Sequence, residues 1–329
     1  FSKNFYSRFF IGQMYISPIT PNNITYPKLS FRGNNNAHFA AEKADTFEHT
    51  EPEIQFDMCY VNFDKHLGLV HFINDVLSKY TDLYPDRDLI PKKVIYAPIG
   101  RKEVEASYVS YVGDDADEDL KAFEGSLIIN KNYFDNLDYS IKSNIKNMKL
   151  LGLYEKNKEG KVSFSILDDF QETKRLRQLA EKFERKKNSL SDVQKWELSV
   201  GIKSIIDQVK YVCNYEDPPV IKHLNIHTPK KTVLHELGHI RHQKEYEFFD
   251  DLAEPAAYRL EEVPFLSAEF AKNPLKQKFA EFVSSNALIS PGEFVADVYA
   301  YLLSGEVYSD EIMELYYSYG GPVVEKTIS

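Results

Sequence analysis

A His-Glu-x-x-His motif within residues 228–240 constrains this chain more than any other stretch, because helix-start signals stand directly in front of it. Thr228 is a good N-cap residue, and Pro229 suits the first helical position, where its missing N–H costs nothing. Residues four apart lie on one face of a helix, so His235 and His239 can direct imidazole nitrogens at a single Zn²⁺. The sequence therefore predicts a zinc-binding helix.

Glu236, between the two histidines, gives the predicted site a chemical role. It is placed to take a proton from water and later pass it to a leaving amine, as in a metal-dependent peptidase. The alternative is a pair of half-buried, hydrogen-bonded histidines with no metal. The apolar residues Val233 and Leu234 before the motif, together with the correct cap, favour zinc.

A second constellation follows on a helix that Ser290 and Pro291 start and Gly305 ends. Glu293 and Asp297 are four residues apart on this helix and share a face. We expect Glu293 to be the third zinc ligand. Asp297 is expected to bond the outer nitrogen of a ligand histidine, which fixes its tautomer.

The third ligand has alternatives in the sequence. Ser290 and Glu293 form a capping-box pattern, in which the glutamate would bond the backbone instead of a metal. Glu254 and Glu269 are substitute ligands. His242 is another rival, but it lies in line with both motif histidines and cannot easily form the third vertex of a tetrahedron.

Charge and composition limit the kinds of molecule that the chain is expected to bind. The chain has 50 acidic and 40 basic residues, a net charge of −10, so no overall attraction to nucleic acid is expected and a peptide or protein substrate is more natural. No run of 18 apolar residues exists, so no membrane span is predicted.

Cys59 and Cys213 have no pairing pattern and are expected to be buried thiols. The chain begins Phe1-Ser2-Lys3 without a signal-peptide pattern, so we interpret it as a trimmed or processed product. The sequence assigns neither its cellular compartment nor its oligomeric state.

Apolar periodicity predicts an α+β fold. Residues 1–64 alternate short β-rich pieces with turns and form a β-rich extension, and residues 65–329 form the main domain. The helical period at residues 66–80 and a charged helical insert at about 168–214 lie within that domain. Ser191-x-x-Gln194 is a capping box for the second helix of the insert. Strands are expected at residues 92–98, 104–112 and 125–131, and a solvated acidic turn rather than a calcium loop at residues 114–119.

Together the two motifs resemble those of gluzincin metallopeptidases. His235-Glu236-x-x-His239 is followed, 54 residues after its second histidine, by Glu293-Phe294-x-Ala296-Asp297. The run from Glu293 to Ser304 is similar to the catalytic domain of the anthrax lethal factor-like group, which includes the Pro-Pro endopeptidases. The Glu-Phe-x-Ala-Asp part of this run also resembles that of CAAX-prenyl-protease-type gluzincins, which have membrane helices. The resemblance covers residues 65–325 loosely and implies a zincin-like fold with a small mixed sheet, an active-site helix and a mostly helical C-terminal subdomain.

The resemblance also implies how substrate is bound. Zincin folds bind extended substrate along an edge strand, and we expect residues 125–131 to be that strand, with an ordinary interior strand as the alternative. Lethal factor-like peptidases carry a tyrosine seven residues before the glutamate ligand, which stabilises the oxyanion. This chain has Asn286 there, which can donate a hydrogen bond itself; otherwise the role falls to Tyr317, Tyr319 or His242.

Three functional hypotheses follow. The first is a zinc-dependent endopeptidase in which Glu236 is the base and Asn286 and Tyr319 are candidate oxyanion donors. The second is a zinc-bearing binding or scaffold domain with a vestigial or partner-regulated site, which the intact Glu236 disfavours and the missing tyrosine favours. The third is a secreted or delivered toxin or effector, in which residues 1–60 and the helices at 168–214 form a recognition module around a peptidase core.

Overall fold

The computed structural model describes residues 58–99, 102–110, 121–167, 170–185, 190–213, 225–245 and 270–328, together with a hairpin of β1 (Phe10–Ile11) and β2 (Met14–Tyr15). The predicted acidic turn at residues 114–119 and the substitute ligands Glu254 and Glu269 lie outside this part of the chain.

Helices dominate the described residues. They are α1 (Leu67–Leu83), α2 (Lys131–Asp135), α3 (Leu137–Leu150), α4 (Gln171–Arg185), α5 (Asp192–Cys213), α6 (Pro229–Glu245), α7 (Pro274–Val283), α8 (Pro291–Leu303) and α9 (Asp310–Ser318). The remaining strands are β3 (Cys59–Val61), β4 (Lys93–Ala97), β5 (Ala106–Val109), β6 (Ser126–Asn130), β7 (Glu155–Lys156) and β8 (Val162–Ser163).

The main sheet has four strands in the order β3-β4-β6-β5. The first three are parallel and β5 is antiparallel, so the sheet is mixed and the α+β prediction is confirmed. The expectation that residues 125–131 form an edge strand is wrong, because β6 pairs with β4 on one side and with β5 on the other. All five residues of β6 are buried, as expected of a central strand. The edge strands are β3 and β5, and β5 is the one that packs against α6.

Side-chain caps begin two of the helices, and the one predicted at Ser191 is confirmed. Ser191 and Gln194 form the reciprocal capping box before α5, with backbone-to-side-chain distances of 3.2 and 3.3 Å. Asn273 caps α7 by accepting from the N–H groups of Leu275 and Lys276 at 3.1 and 3.2 Å. These side chains satisfy backbone donors that a helix leaves without intrahelical partners.

Two large apolar clusters share helix α5. Trp196 and Val200 pack into a cluster with α1, the sheet, α6 and α8. The opposite side of α5 packs into a second cluster with α3 and α4. The α5 members of that second cluster are Leu198, Ile202, Ile205, Ile206 and Val209. Residues on two sides of α5 are therefore buried, and the charged helices are thereby joined to the rest of the fold.

Helix α6 lies at the centre of the larger cluster, and all of residues 231–240 are buried. It packs most closely against α8. A Cβ on Gly238 would lie 3.0 Å from Ala296 Cα and 3.2 Å from the Ala296 oxygen, so only glycine lets the two backbones approach this closely.

Two N-terminal details differ from the sequence expectations. Residues 59–61 form strand β3, which pairs in parallel with β4, so the end of the predicted extension belongs to the main sheet. Cys59 is exposed and not a buried thiol, because it faces outward on an edge strand. Within the described residues, no helix has the length and apolarity needed to cross a membrane.

Candidate metal centre

The N-terminus of α6 is held in place by polar contacts. Thr228 Oγ1 accepts a hydrogen bond from the N–H of Lys231 at 3.3 Å, which confirms the predicted cap. The buried Lys231 ammonium group donates to the Ile226 carbonyl at 3.0 Å and to Glu306 at 3.1 Å. This buried charge is therefore paired and hydrogen-bonded, as burial requires. These contacts fix the helix that carries the motif histidines.

His235 and His239 meet on one face of α6. Their Nε2 atoms are 3.0 Å apart, and their rings are nearly perpendicular, with centroids 4.6 Å apart. Both residues are buried, at 7% and 4% exposure. The predicted convergence of the two imidazole nitrogens is confirmed.

Glu293 brings a carboxylate from α8 to the same point. Its Oε2 lies 3.1 Å from His235 Nε2, and its Oε1 lies 3.6 Å from His239 Nε2. Ligand atoms from the three side chains lie within 4.8 Å of one another, so the group can hold a metal ion. The N–H of Glu293 also donates to Ser290 Oγ at 3.2 Å. The backbone of Glu293 thus takes part in the helix cap while its carboxylate faces the histidines.

Asp297 orients His235 from behind. Its Oδ1 lies 2.6 Å from His235 Nδ1, and both side chains are buried. When neutral His235 donates its Nδ1–H to this carboxylate, the lone pair on Nε2 is directed at the metal position. The geometry predicted for Asp297 is therefore present.

Charges in the centre favour a cation. Burial alone would lower the pKa of His235, but Asp297 and Glu293 hold it well above its ordinary value. Burial alone would likewise raise the pKa of Glu293, but the two histidines hold it well below its ordinary value. Two ionised carboxylates thus surround the imidazoles, and a divalent ion would compensate their charge.

Glu236 joins the metal helix to the edge strand. Its Oε2 accepts a hydrogen bond from the N–H of Tyr108 in β5 at 2.6 Å. Burial raises the pKa of Glu236, and this backbone bond partly opposes the shift. A buried carboxylate with a raised pKa can both take up and release a proton. Its position next to His235 places it in the same cavity as the three candidate ligands.

A cavity of about 390 Å³ opens onto these groups. One wall is the start of β5, with Ala106 and Ser107, and the residue before it, Glu105. A second wall is α5, and the third is the segment between α7 and α8. An extended chain lying along β5 would therefore pass the metal position.

The candidate oxyanion donors occupy different positions. Asn286 lines the cavity, and its Nδ2 donates to Glu293 Oε2 at 2.6 Å. The hydroxyl of Tyr319 bonds to Lys276 at 2.8 Å, and Tyr317 is half exposed. Neither Tyr317 nor Tyr319 is among the described residues that line the cavity. His242 Nε2 donates to the Tyr319 carbonyl at 2.7 Å, so this ring is committed to a structural bond.

Several contributors have no signal in the sequence. Ser284 donates a short hydrogen bond to Asp297, and Tyr108 contributes only its backbone N–H. Glu105 accepts from Thr232 Oγ1 at 2.8 Å and so links the start of β5 to α6. Each of these contacts joins residues far apart in the chain or at a turn. Residue type and spacing alone therefore do not identify them.

No protein-family model matches this chain, and no curated protein or solved structure matches it.

Proposed function

We propose that this chain is a zinc-dependent endopeptidase with a gluzincin-type site on a zincin-like fold, similar to the lethal factor-like group. The observation that carries the proposal is the convergence of His235, His239 and Glu293 beside Glu236 in a cavity bordered by an edge strand.

The donor set suits Zn²⁺. Two imidazoles and one carboxylate leave one position of a tetrahedron open, as in catalytic zinc sites. Zinc–ligand bonds of about 2.0–2.1 Å imply donor–donor distances of about 3.3 Å in a tetrahedron. The two imidazole nitrogens are 3.0 Å apart and Glu293 Oε2 lies 3.1 Å from His235 Nε2, both close to this value. The 3.6 Å distance from His239 Nε2 is to the other carboxylate oxygen, Oε1.

The reaction follows from the residues around the metal position. Bound Zn²⁺ would supply a Lewis acid that polarises the scissile carbonyl and acidifies water. Glu236 takes the proton of the attacking water and transfers it to the departing nitrogen, which its burial and raised pKa favour. Asp297 keeps His235 in the tautomer that presents Nε2.

Strand β5 supports an extended peptide as the substrate. The Glu105 carbonyl accepts from the Asn130 N–H, and the Val109 carbonyl accepts from the Gly125 N–H, so these groups face the interior of the sheet. Antiparallel pairing alternates, so the backbone groups of Ala106 and Tyr108 face away from β6. The N–H of Tyr108 points accordingly at Glu236. A substrate strand would add to this edge by main-chain hydrogen bonds.

Glu236→Gln tests the proposal. The variant should bind zinc as the unaltered protein does and lose cleavage of a random peptide library by at least ~10²-fold, since a general base contributes about 10²–10⁴-fold. Glu281→Gln, at the wall of the same cavity, is the control and should keep activity. Retained cleavage by Glu236→Gln would exclude this role, and absence of zinc from the purified protein would exclude the site.

A zinc-bearing binding domain is the second candidate. It is favoured by Asn286, whose amide is bonded to Glu293 where the related enzymes present a tyrosine to the oxyanion. Incubation of the peptide library with and without chelator separates the two functions. Cleavage that the chelator abolishes indicates a peptidase, whereas binding of zinc without cleavage of any peptide indicates the binding domain.

A further inference from the structure

The turn between α7 and α8 contacts both carboxylates of the metal centre. Ser284 ends α7, and its Oγ accepts a hydrogen bond from the N–H of Ala287 at 2.9 Å. Because that bond uses an oxygen lone pair, the hydroxyl proton is left to donate to Asp297 Oδ2, and the structure has this contact. Ser284 thus shapes the turn and at the same time bonds the carboxylate that orients His235.

Asn286 lies inside the same turn and bonds the other carboxylate. Its side-chain Nδ2 donates to Glu293 Oε2 at 2.6 Å, and its backbone carbonyl accepts from the N–H of Ile289 at 3.0 Å. A hydrogen bond that an amide donates to a carboxylate is of the charge-assisted kind, which is stronger than one between neutral groups. The amide therefore fixes the rotation of Glu293 about its last side-chain torsion, which is otherwise broad.

We propose that Ser284 and Asn286 are positioning residues that set the metal affinity of the centre, and that the turn from Ser284 to Ala287 orients both α8 carboxylates as one unit. Asn286 acts through Glu293, and Ser284 acts through Asp297 and His235. The inference rests on the proposed metal site and does not depend on peptidase activity.

Both carboxylates need these partners because they are shielded from solvent, with Asp297 buried and the Glu293 side chain 13% exposed. Asp297 is 2% exposed, and its two oxygens are bonded by His235 and Ser284. A buried carboxylate that loses a donor reorients to find another partner, and this change withdraws it from its role at the metal. Hydrogen-bond partners beyond the ligands typically contribute 10–100-fold to metal affinity.

Zinc affinity, measured by competition with a chelator of known affinity, tests the proposal without any substrate. Asn286→Ala and Ser284→Ala should each weaken zinc binding by about 10–100-fold. Ser284→Thr keeps a hydroxyl and should retain most of the affinity. Ser285→Ala is the matched control, because Ser285 lies in the same turn but donates only to Asp207 of α5. Its affinity should be unchanged.

Cobalt substitution gives a second readout. Co²⁺ reports its ligand geometry through visible absorption bands, so Asn286→Ala should change these bands and Ser285→Ala should not. Urea unfolding of the metal-free proteins identifies a variant that fails to fold. If Ser284→Ala fails to fold, the zinc affinity and the cobalt spectrum of Asn286→Ala still test the positioning role.

The outcomes separate the hypotheses. Unchanged affinity and an unchanged cobalt spectrum in Asn286→Ala would overturn the positioning role, and a lower kcat in that same variant would assign Asn286 to the oxyanion instead. Equal losses in Ser284→Thr and Ser284→Ala would overturn the role of the serine hydroxyl. Failure of the unaltered protein to bind zinc would refute the underlying metal site.

Discussion

His235 Nδ1 lies 2.6 Å from Asp297 Oδ1, one turn of α8 beyond the candidate ligand Glu293. This pair joins the two helices that carry the candidate metal ligands. If the centre holds zinc as proposed, Asp297→Asn should weaken zinc binding by about 10–100-fold, because an amide neither carries the charge nor enforces the tautomer of His235. Chelator competition measures the change. Asp310→Asn, at the exposed start of α9, is the control, and equal affinities in the two variants would contradict the role of Asp297.

Gly238→Ala should destabilise the protein. The added Cβ would lie 3.0 Å from Ala296 Cα, and a backbone cannot yield as a side-chain end does. Overpacking of this kind typically costs about 1–3 kcal/mol, measured as the free energy of urea unfolding. Gly68→Ala in α1 is the matched control, since its Cβ would meet nothing within 4 Å and alanine favours a helix. Equal stability of the two variants would show that α6 and α8 tolerate a wider separation.

His242 should make stability fall in mild acid. Burial lowers its pKa from 6.5 to about 4, so the folded state keeps it neutral while the unfolded chain takes up a proton below about pH 6.5. The unfolded state then binds more protons, and the free energy of unfolding falls as the pH drops from 6.5 towards 4, by on the order of 3 kcal/mol in total.

His242→Gln tests this pH dependence. The glutamine amide can still donate to the Tyr319 carbonyl but does not titrate, so the variant should lose less stability than the unaltered protein between pH 7 and pH 4.5. Urea unfolding of both proteins in chelator measures the difference, since metal loss then contributes to neither. Parallel pH curves would show that His242 is not the titrating group.

Glu105→Ala should weaken substrate binding if the peptidase proposal is correct. The Glu105 carboxylate accepts from Thr232 Oγ1 at 2.8 Å and ties the start of β5 to α6. Without this bond the edge strand is held less firmly, so KM should rise severalfold with kcat little changed, as for uniform binding. Glu103→Ala, exposed on the same wall of the cavity, serves as the control. A fall in kcat at constant KM would instead assign Glu105 to the chemistry.

Local signals made the centre predictable. The caps at Thr228 and Ser290 and the four-residue spacings place His235, His239 and Glu293 on defined helix faces. Such signals depend only on neighbours along the chain. The pairing of strand β6 depends instead on strands far away in sequence. Its continuous apolar run is equally compatible with several positions in a sheet, and the edge assignment was wrong for that reason.

The direction of the Asn286 side chain could not be predicted for a related reason. The seven-residue separation from Glu293 spans a turn and a helix start, and the course of that turn depends on Ser284 bonding the Ala287 N–H. A hydroxyl that shapes a turn is common in proteins, so nothing in the sequence distinguished this serine from Ser285.

Burial of residues 231–240 over ten consecutive positions has a consequence for how the centre opens. Amide hydrogens of such a helix exchange with solvent mainly when the whole fold opens, whereas frayed ends and surface loops exchange by local motion. The amides of His235 and His239 should therefore be among the slowest to exchange deuterium. Release of a bound ion would then not require α6 to unwind. The motion that admits or releases the ion would instead occur in the α7–α8 turn and in the edge strand β5.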